Sequence, residues 1–447
     1  MSKEENKEIP NLDDFALELY EEMLEQQEKE ETEKSSKDEK LEEKKEKTDI
    51  FTLPDITPYP KMISYIEGPV TLTELKTDKY GGKHIYIFGD YHVKKAICPT
   101  QGEKISIADL FLNELVAANK DDPKKVIDIF METPYINKLS SKKGDLPENT
   151  YMQTVQLLFK NCITLDKKSC AINNLRIHNT DVREFDNYLS YTLLNFWFLL
   201  EGLIIYRETK SEDSFDKARD MWMRLKNHYI IDNSTDLGNV LDIINNFNLY
   251  DNFMKVKIFK QIENIEYSDL KQEFANMINL NITELDKIKH EITDIFSHLY
   301  DLFKNKQSEQ SKIFQDKKYS IILNTNRLKD VLEKVRNISV SSMDIYLLAR
   351  LFRNFKSEKL PNKYSDPAKN ILIYVGDVHA TNYINFFKNI GFEEVRRLEH
   401  TNELNRNFQC IDLFPDFDPK FPKNIPLTLP LFATPKTIKR KPINKNI

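Results

Sequence analysis

Glycine and cysteine are both rare in this chain, with 10 and 4 copies among 447 residues. Glycine tolerates backbone conformations and close approaches that other residues do not, so each copy in so glycine-poor a chain indicates a specific structural demand. The four cysteines form none of the paired spacings that zinc sites use; they are Cys98, Cys162, Cys170 and Cys410. We therefore expect free thiols and a cytoplasmic location, with the nucleus or a virion as alternatives.

The positive charges of the chain do not gather into one basic face. Lys and Arg number 65 against 71 Asp and Glu, and both signs are spread along the sequence. Phosphate contact demands a concentrated basic surface, so nucleic acid is not indicated as a partner. The apolar run at 188–207 is about as long as a bilayer span. It carries Asn195 and Glu201 and has no basic flank, so we predict a buried helix and no membrane span.

The chain does contain the sequence Gly-Asp-X-His twice, at 89–92 and at 376–379. A random sequence of this composition should contain about 0.02 copies. Each copy follows a run of strand-forming residues, "KHIYIFG" in the first case and "NILIYVG" in the second. The repetition indicates that both copies serve one task.

Strand-like and helix-like segments alternate on both sides of a long helical stretch. Strands are expected at 83–89, 124–132 and from 175, with helices between them at 106–120, where Ser106 is the N-cap, and 151–163. A further strand at 370–376, a helix that ends at Gly391 and a terminal pair of strands follow the helical stretch. This order predicts the α/β class, with a mostly parallel sheet, flanking helices and a large all-helical insertion.

Composition divides the chain into five segments. We predict a disordered, charged N-terminal tail at 1–50, the first part of the α/β domain at 51–186 and a helical insertion or cap at 187–356. The second part of the domain is expected at 357–420, and a Pro-rich, basic tail at 421–447. The tails and the helical region are candidate surfaces for protein partners.

In open α/β sheets, ligands bind at the carboxyl ends of the strands. If the two motif-bearing strands are neighbours, His92 and His379 converge, with Asp90 and Asp377 beside them. Two imidazoles and a carboxylate are a usual ligand set for a catalytic divalent metal, here of the Mn, Co or Zn class. Glu132, at the same end of the intervening strand, is the natural third ligand.

Two alternatives stay open for the residues around this metal site. Asp90 and Asp377 either take part directly, as metal ligands or catalytic groups, or orient the histidines from the second shell. Four further pocket candidates follow two of the strands, and they are Tyr91, His178, Asp181 and Arg183. An arginine there could stabilise an oxyanion. Pairing with a carboxylate is the alternative for the arginine, and a purely structural role is the alternative for the histidine.

The motifs and their order resemble the TraB/TIKI/GumN superfamily, which is related to ChaN and to erythromycin-esterase-like proteins. Members carry an early and a late Gly-X-X-His motif, a glutamate after the second strand and an arginine after a later one. Here "IFGDYHV", "IDIFMETP", "DVRE" and "VGDVHATNYINFFKNIGFEEVRRL" take those places, over roughly 83–185 and 370–400.

The use of Lys, Asn and Ile with little Gly is typical of AT-rich genomes, among them those of large DNA viruses.

This resemblance implies a metal-dependent hydrolase of a peptide, ester or amide bond, with His92, Glu132 and His379 at the metal and a peptide or small molecule as substrate. Gly-Asp-X-His also resembles the opening motif of calcineurin-like metallophosphoesterases, whose later motifs this chain lacks. A non-catalytic interaction protein or virion-associated protein that retains the fold is the alternative from another class.

Overall fold

A computed structural model of the chain describes residues 63–92, 98, 103–122, 124–134, 150–159, 174–182, 189–209, 213–214, 216–218, 252–304, 324–355, 366–399, 409–413, 429 and 431–432. The predicted tail at 1–50 lies outside the described residues, as does most of the predicted tail at 421–447. The oxyanion candidate Arg183 also lies outside them.

The described residues form nine strands. In chain order they are β1 (Tyr65–Glu67), β2 (Thr71–Thr77), β3 (Lys83–Asp90), β4 (Lys104–Ser106), β5 (Ile127–Pro134), β6 (Leu175–Asp181), β7 (Asn370–Gly376), β8 (Glu393–Glu399) and β9 (Cys410–Asp412). Six of them make the main sheet, in the order β6-β5-β7-β3-β2-β8. The first four of these are parallel, and β2 is antiparallel to both of its neighbours.

Seven helices accompany the strands in the described ranges. They are α1 (Ile107–Asp121), α2 (Tyr151–Leu158), α3 (Leu189–Thr209), α4 (Asn252–Glu263), α5 (Ser268–Lys304), α6 (Thr325–Phe352) and α7 (Asp377–Asn389). Ser106 is the N-cap of α1, as predicted, and its hydroxyl accepts the Asp109 N–H at 3.1 Å. The helices α3 to α6 separate β6 from β7, so the predicted α/β fold with a helical insertion is confirmed.

The apolar run at 188–207 falls on α3, which packs in the main core. Its side chains Leu199, Leu200 and Leu203 are almost completely buried. No helix among the described residues is long and apolar enough to cross a membrane. The prediction of a buried helix at this position is therefore confirmed.

A second, three-stranded sheet has the order β4-β1-β9. Both predicted terminal strands are present: β8 joins the main sheet beside β2, and β9 pairs with β1. One prediction about the cysteines is wrong. Cys98 and Cys410 are not free thiols but form a disulfide, with their Cα atoms 5.7 Å apart. Their positions in the chain differ by 312 residues, so sequence spacing gave no sign of the pairing.

The central strand of the main sheet is β7, which lies between β5 and β3. Its neighbours are parallel to it, and Asp90 of β3 is in register with Gly376 of β7. On the other side, Met131 of β5 is in register with Tyr374. The carboxyl ends of the three strands, which carry both Gly-Asp-X-His motifs and Glu132, therefore meet at one edge of the sheet.

Candidate active site

Glu132 lies between the two motif histidines. Its Oε2 is 2.9 Å from Nε2 of His92, and its Oε1 is 3.3 Å from Nε2 of His379. Oε2 also accepts the backbone N–H of Gly376 at 2.7 Å. The pairing of β5 with β6 shifts register between Met131 and Pro134, an irregularity that re-aims side chains and is frequent beside active sites. The predicted convergence of the two imidazoles on one carboxylate is present.

A sharp turn after β3 directs His92 towards Glu132. His92 has φ +53°, a left-handed conformation that is uncommon for a residue other than glycine. The backbone N–H of His92 donates to Oδ1 of Asp90 at 2.9 Å, and the Tyr374 hydroxyl donates to Oδ2 of Asp90 at 2.8 Å. Asp90 thus holds the turn, and its Oδ2 lies 3.7 Å from Nδ1 of His92. This geometry favours the orienting role over direct ligation for Asp90.

His379 is held by a residue of the helical insertion. It lies in the first turn of α7, is 3% exposed, and its Nδ1 is 2.5 Å from Oδ1 of Asp344 on α6. The other oxygen of Asp344 accepts from the Asn382 side chain at 2.7 Å. Asp344 is itself 4% exposed. The insertion therefore contributes a buried carboxylate to the site.

The two motif glycines, Gly89 and Gly376, lie where there is no room for a larger side chain. A Cβ on Gly376 would lie 2.8 Å from Nε2 of His92 and 3.1 Å from Oε2 of Glu132. A Cβ on Gly89 would lie 2.3 Å from the Thr71 hydroxyl of β2 and 2.5 Å from Oδ1 of Asp377. Neither glycine has a positive φ, so the backbone conformation does not require glycine at either position. Each motif's glycine makes room for a side chain of the other motif.

Asp377 does not orient either histidine. Its Oδ1 accepts the Thr71 hydroxyl from β2 at 2.7 Å. It occupies the first turn of α7, where a negative charge interacts favourably with the helix dipole. The second-shell role expected for Asp377 therefore becomes a contact between α7 and the neighbouring strand β2.

Charge coupling at the site favours protonated imidazoles beside an ionised glutamate. Burial opposes a charge on His92 and on His379, but the adjacent carboxylates outweigh it and raise the pKa of each to about 10. Burial would likewise raise the pKa of Glu132, but the two imidazoles hold it well below its ordinary value. Without a metal, the site is therefore an imidazolium–carboxylate–imidazolium triad.

Of the other predicted pocket residues, His178 belongs to a different cluster. Its Nε2 donates to Oδ1 of Asp128 at 2.9 Å, and its Nδ1 accepts from Nε of Arg350 at 3.2 Å. Asp128 also receives a bidentate contact from Arg176, at 2.7 and 2.8 Å. Burial lowers the pKa of His178 to about 4, so this histidine is neutral. The structural alternative for His178 is supported.

The other pocket candidates divide between a buried strand end and the surface. Asp181 ends β6 in a buried position beside Pro134. Tyr91, the X residue of the first motif, is 44% exposed, and Val378, the X residue of the second, is 39% exposed. The side chain of His92 is 33% exposed, whereas those of His379 and Glu132 are nearly closed off. Solvent therefore reaches the triad from the side of His92.

Sequence reasoning missed Asp344, Tyr374 and Asn382. The signal for Asp344 was an acidic residue inside the apolar helical segment "SVSSMDIYLLARLF", since a buried carboxylate needs partners. Tyr374 and Asn382 gave no comparable signal, because a tyrosine in a strand and an asparagine on a helix are ordinary residues there.

Comparison of the chain with protein-family models, with curated proteins and with solved structures finds no match. The resemblance to the TraB/TIKI/GumN superfamily therefore stays a prediction, and any function must be argued from the site itself.

Proposed function

We propose that this chain is a metal-dependent hydrolase that cleaves a peptide, ester or amide bond at the triad of His92, Glu132 and His379. One observation carries the proposal. Nε2 of both imidazoles faces the same carboxylate, while each Nδ1 faces a further carboxylate, that of Asp90 or Asp344. An imidazole whose second nitrogen is backed by a carboxylate has the orientation and basicity of a metal ligand.

The donor set of the triad fits a divalent ion of the Mn, Co or Zn class. Within the described part of the chain, no group of three His, Cys, Asp or Glu side chains is already spaced as a coordination shell. In the triad, protons occupy the space between Glu132 and the imidazoles. Two protons carry the charge of one divalent ion, so an exchange of protons for metal would leave the charge of the cluster unchanged. Such an ion would supply an activated water.

Glu132 has the position of a group that moves protons. It contacts both imidazoles, so with Nε2 of His92 and of His379 holding an ion, its carboxylate would lie beside the activated water and could accept a proton from it. His92 is the more exposed of the two histidines, so the open side of the site lies at His92. His379 is buried against Asp344, and this contact at Nδ1 would hold Nε2 of His379 in a fixed position.

The residues at the X position of the two Gly-Asp-X-His motifs suggest which class of substrate the site accepts. Tyr91 and Val378 are exposed apolar side chains that immediately precede the two histidines. Apolar side chains at the edge of a pocket favour a substrate with an apolar group beside the bond that is cleaved. This favours a peptide or acyl substrate over a phosphate ester.

Metal content tests the proposal. The purified chain is incubated with Mn²⁺, Co²⁺ or Zn²⁺, desalted and assayed by elemental analysis. We expect one ion per chain for the wild type and for His290→Ala, which removes an exposed histidine of α5. We expect less than about a tenth of that for His379→Ala and for Glu132→Ala. Chromogenic esters and fluorogenic peptides then test for hydrolysis that follows the metal content.

The same experiment separates the alternatives. Absence of metal from the wild type under all three conditions, with no hydrolysis, would favour a non-catalytic protein that docks partners through its helical region or tails. Hydrolysis that survives chelation would favour metal-free acid–base chemistry at Glu132 and His92. A phosphoesterase requires Mn²⁺-dependent phosphatase activity that Asp377→Asn abolishes.

We also propose that the protein acts in the cytoplasm, with the nucleus or a virion as alternatives. The Cys98–Cys410 disulfide speaks against a reducing compartment, because such bonds are rare in cytosolic proteins. Cell fractionation, with the thiols alkylated at lysis, decides the compartment and the redox state together.

A further inference from the structure

Two residues of the C-terminal segment, Leu431 and Phe432, are buried on the sheet far along the chain from their contacts. Each is 5% exposed. Their contacts come from β3, from α1 and from Lys125, just before β5, at sequence separations of more than three hundred residues. This pair therefore packs as a short peptide would pack on a separate protein.

Side chains bind all four backbone polar groups of the pair. The Leu431 N–H donates to both oxygens of Glu114 at 2.8 Å, and the Phe432 N–H donates to one of them at 3.4 Å. The Leu431 carbonyl accepts the Tyr86 hydroxyl at 3.0 Å, and the Phe432 carbonyl accepts the Lys125 ammonium. These side chains therefore satisfy the backbone of a pair of residues that joins no strand ladder.

The Phe432 ring occupies an aromatic corner. Its centroid is 5.3 Å from His84 and 5.3 Å from Tyr86, and both rings are nearly perpendicular to it. Edge-to-face contacts of this kind are favourable beyond the apolar area that they bury. The ring at this position is therefore selected by shape as well as by hydrophobicity.

The carboxylate at the base of this pocket would be costly if the pocket were empty. Glu114 lies in the middle of α1 and is 0% exposed. A buried carboxylate that loses hydrogen-bond donors carries a large desolvation penalty, and the two segment amides are such donors. The peptide backbone in the pocket therefore stabilises a glutamate at this position.

We propose that Glu114, Lys125, Tyr86 and His84 form a recognition site for a short peptide containing Leu-Phe, and that the chain's own C-terminal segment, in which Leu431 and Phe432 form a turn, is its resident ligand. The site lies at α1 and the β3 side chains His84 and Tyr86, and shares no residue with the triad. The proposal is therefore independent of the hydrolase function. Below, the segment-free variant means the full chain with Leu431→Ala and Phe432→Ala, in which the segment is still part of the chain but should no longer occupy the site.

Binding of a labelled peptide of residues 426–436 to the full chain tests the site by fluorescence anisotropy. The segment-free variant should bind the peptide saturably. The wild type should bind it about ten-fold more weakly or worse, because its own segment competes at an effective concentration of about 1 mM. A peptide with Ala-Ala in place of Leu-Phe is the control ligand.

Variants of the site supply matched controls. In the segment-free background, Lys125→Ala should weaken peptide binding about ten-fold, as expected for a lost charge-assisted hydrogen bond. Lys124→Ala, one residue away and exposed, should leave it unchanged. Glu114→Gln should weaken binding, because only one of its two side-chain atoms can still accept the segment N–H groups and the charge is lost.

Two experiments can refute the recognition site. In the first, the refuting result is a folded segment-free variant that fails to bind the peptide or binds the Ala-Ala peptide equally well. The second experiment uses the wild type, so it applies even if that variant does not fold. Hydrogen exchange should show protected amides at Leu431 and Phe432, and exchange there at the rate of a free peptide would refute the docking.

Discussion

The substitution Gly376→Ala tests whether the triad depends on a missing side chain. The new Cβ would lie 2.8 Å from Nε2 of His92, about 0.7 Å short of an ordinary contact of roughly 3.5 Å. The backbone of Gly376 has φ −58° and ψ 146°, which alanine adopts without strain. The clash must therefore be relieved by movement of the His92 ring, which is partly exposed and free to swing outwards.

The expected cost follows from the bond that is broken. Separating His92 from Glu132 removes a charge-assisted hydrogen bond of about 1.5–3 kcal/mol. Alanine reduces the conformational entropy of the unfolded chain, which offsets roughly 0.5–1 kcal/mol of that loss. We expect the free energy of unfolding to fall by about 1–2 kcal/mol and metal affinity to fall by about 10-fold to 100-fold.

Urea denaturation and metal titration measure the two effects, and Gly391→Ala is the matched control. Gly391 has φ +93°, and its Cβ would meet only the flexible Lys79 ammonium at 3.4 Å. This control should lose about 1–3 kcal/mol through backbone strain, with metal binding unchanged. The role assigned to Gly376 would be refuted if Gly376→Ala kept the metal affinity of the wild type. It would also be refuted if both variants lost metal affinity equally.

Three further predictions concern the partners of the triad and the disulfide. Asp344→Asn should lower metal affinity about 10-fold to 100-fold, because His379 loses the carboxylate behind it; unchanged affinity by calorimetry would contradict this. In the metal-free protein the pKa of His379 is raised to about 10, so its stabilising contribution is complete below about pH 6.5 and is lost as pH rises towards 10. Urea denaturation across that range should show the decline, a smaller one in Glu132→Gln, and a flat wild-type profile would be inconsistent with the triad. Reduction of Cys98–Cys410 should lower the free energy of unfolding by roughly 2–4 kcal/mol, and an equal effect of reductant on Cys98→Ser would exclude that bond as the cause.

Several strands and their order along the chain could be predicted from the sequence, because the residue patterns that indicate them are local. β7 is predicted with its observed bounds, Asn370–Gly376, since an apolar run there stops at a glycine. Neither β2 nor β1 was predicted. The sequence of β2, "TLTELKT", alternates polar and apolar residues on an antiparallel edge, and β1 has only three residues. Short or half-polar strands are defined by pairing partners that lie far along the chain.

The triad was predictable for a related reason. His92, Glu132 and His379 each follow a recognisable strand, and parallel strands bring their carboxyl ends to one edge. Asp344 could not be assigned in this way. It lies in the middle of a helix, and which face of α6 meets α7 depends on tertiary packing that no local pattern encodes.

The two Gly-Asp-X-His copies share their letters but not their roles. Asp90 holds the turn that brings His92 inwards, whereas Asp377 bonds to Thr71 at the start of α7. What the copies have in common is the register of β3 with β7, which sets Gly89 against Asp377 and Gly376 against His92. At the end of each strand, a side chain from the other motif lies where a Cβ would be, so neither motif has room for a residue larger than glycine. Gly89 also makes room for the Thr71 hydroxyl, which bonds to Asp377. The glycine in each motif is therefore explained by packing against the neighbouring motif, together with β2 in the case of Gly89.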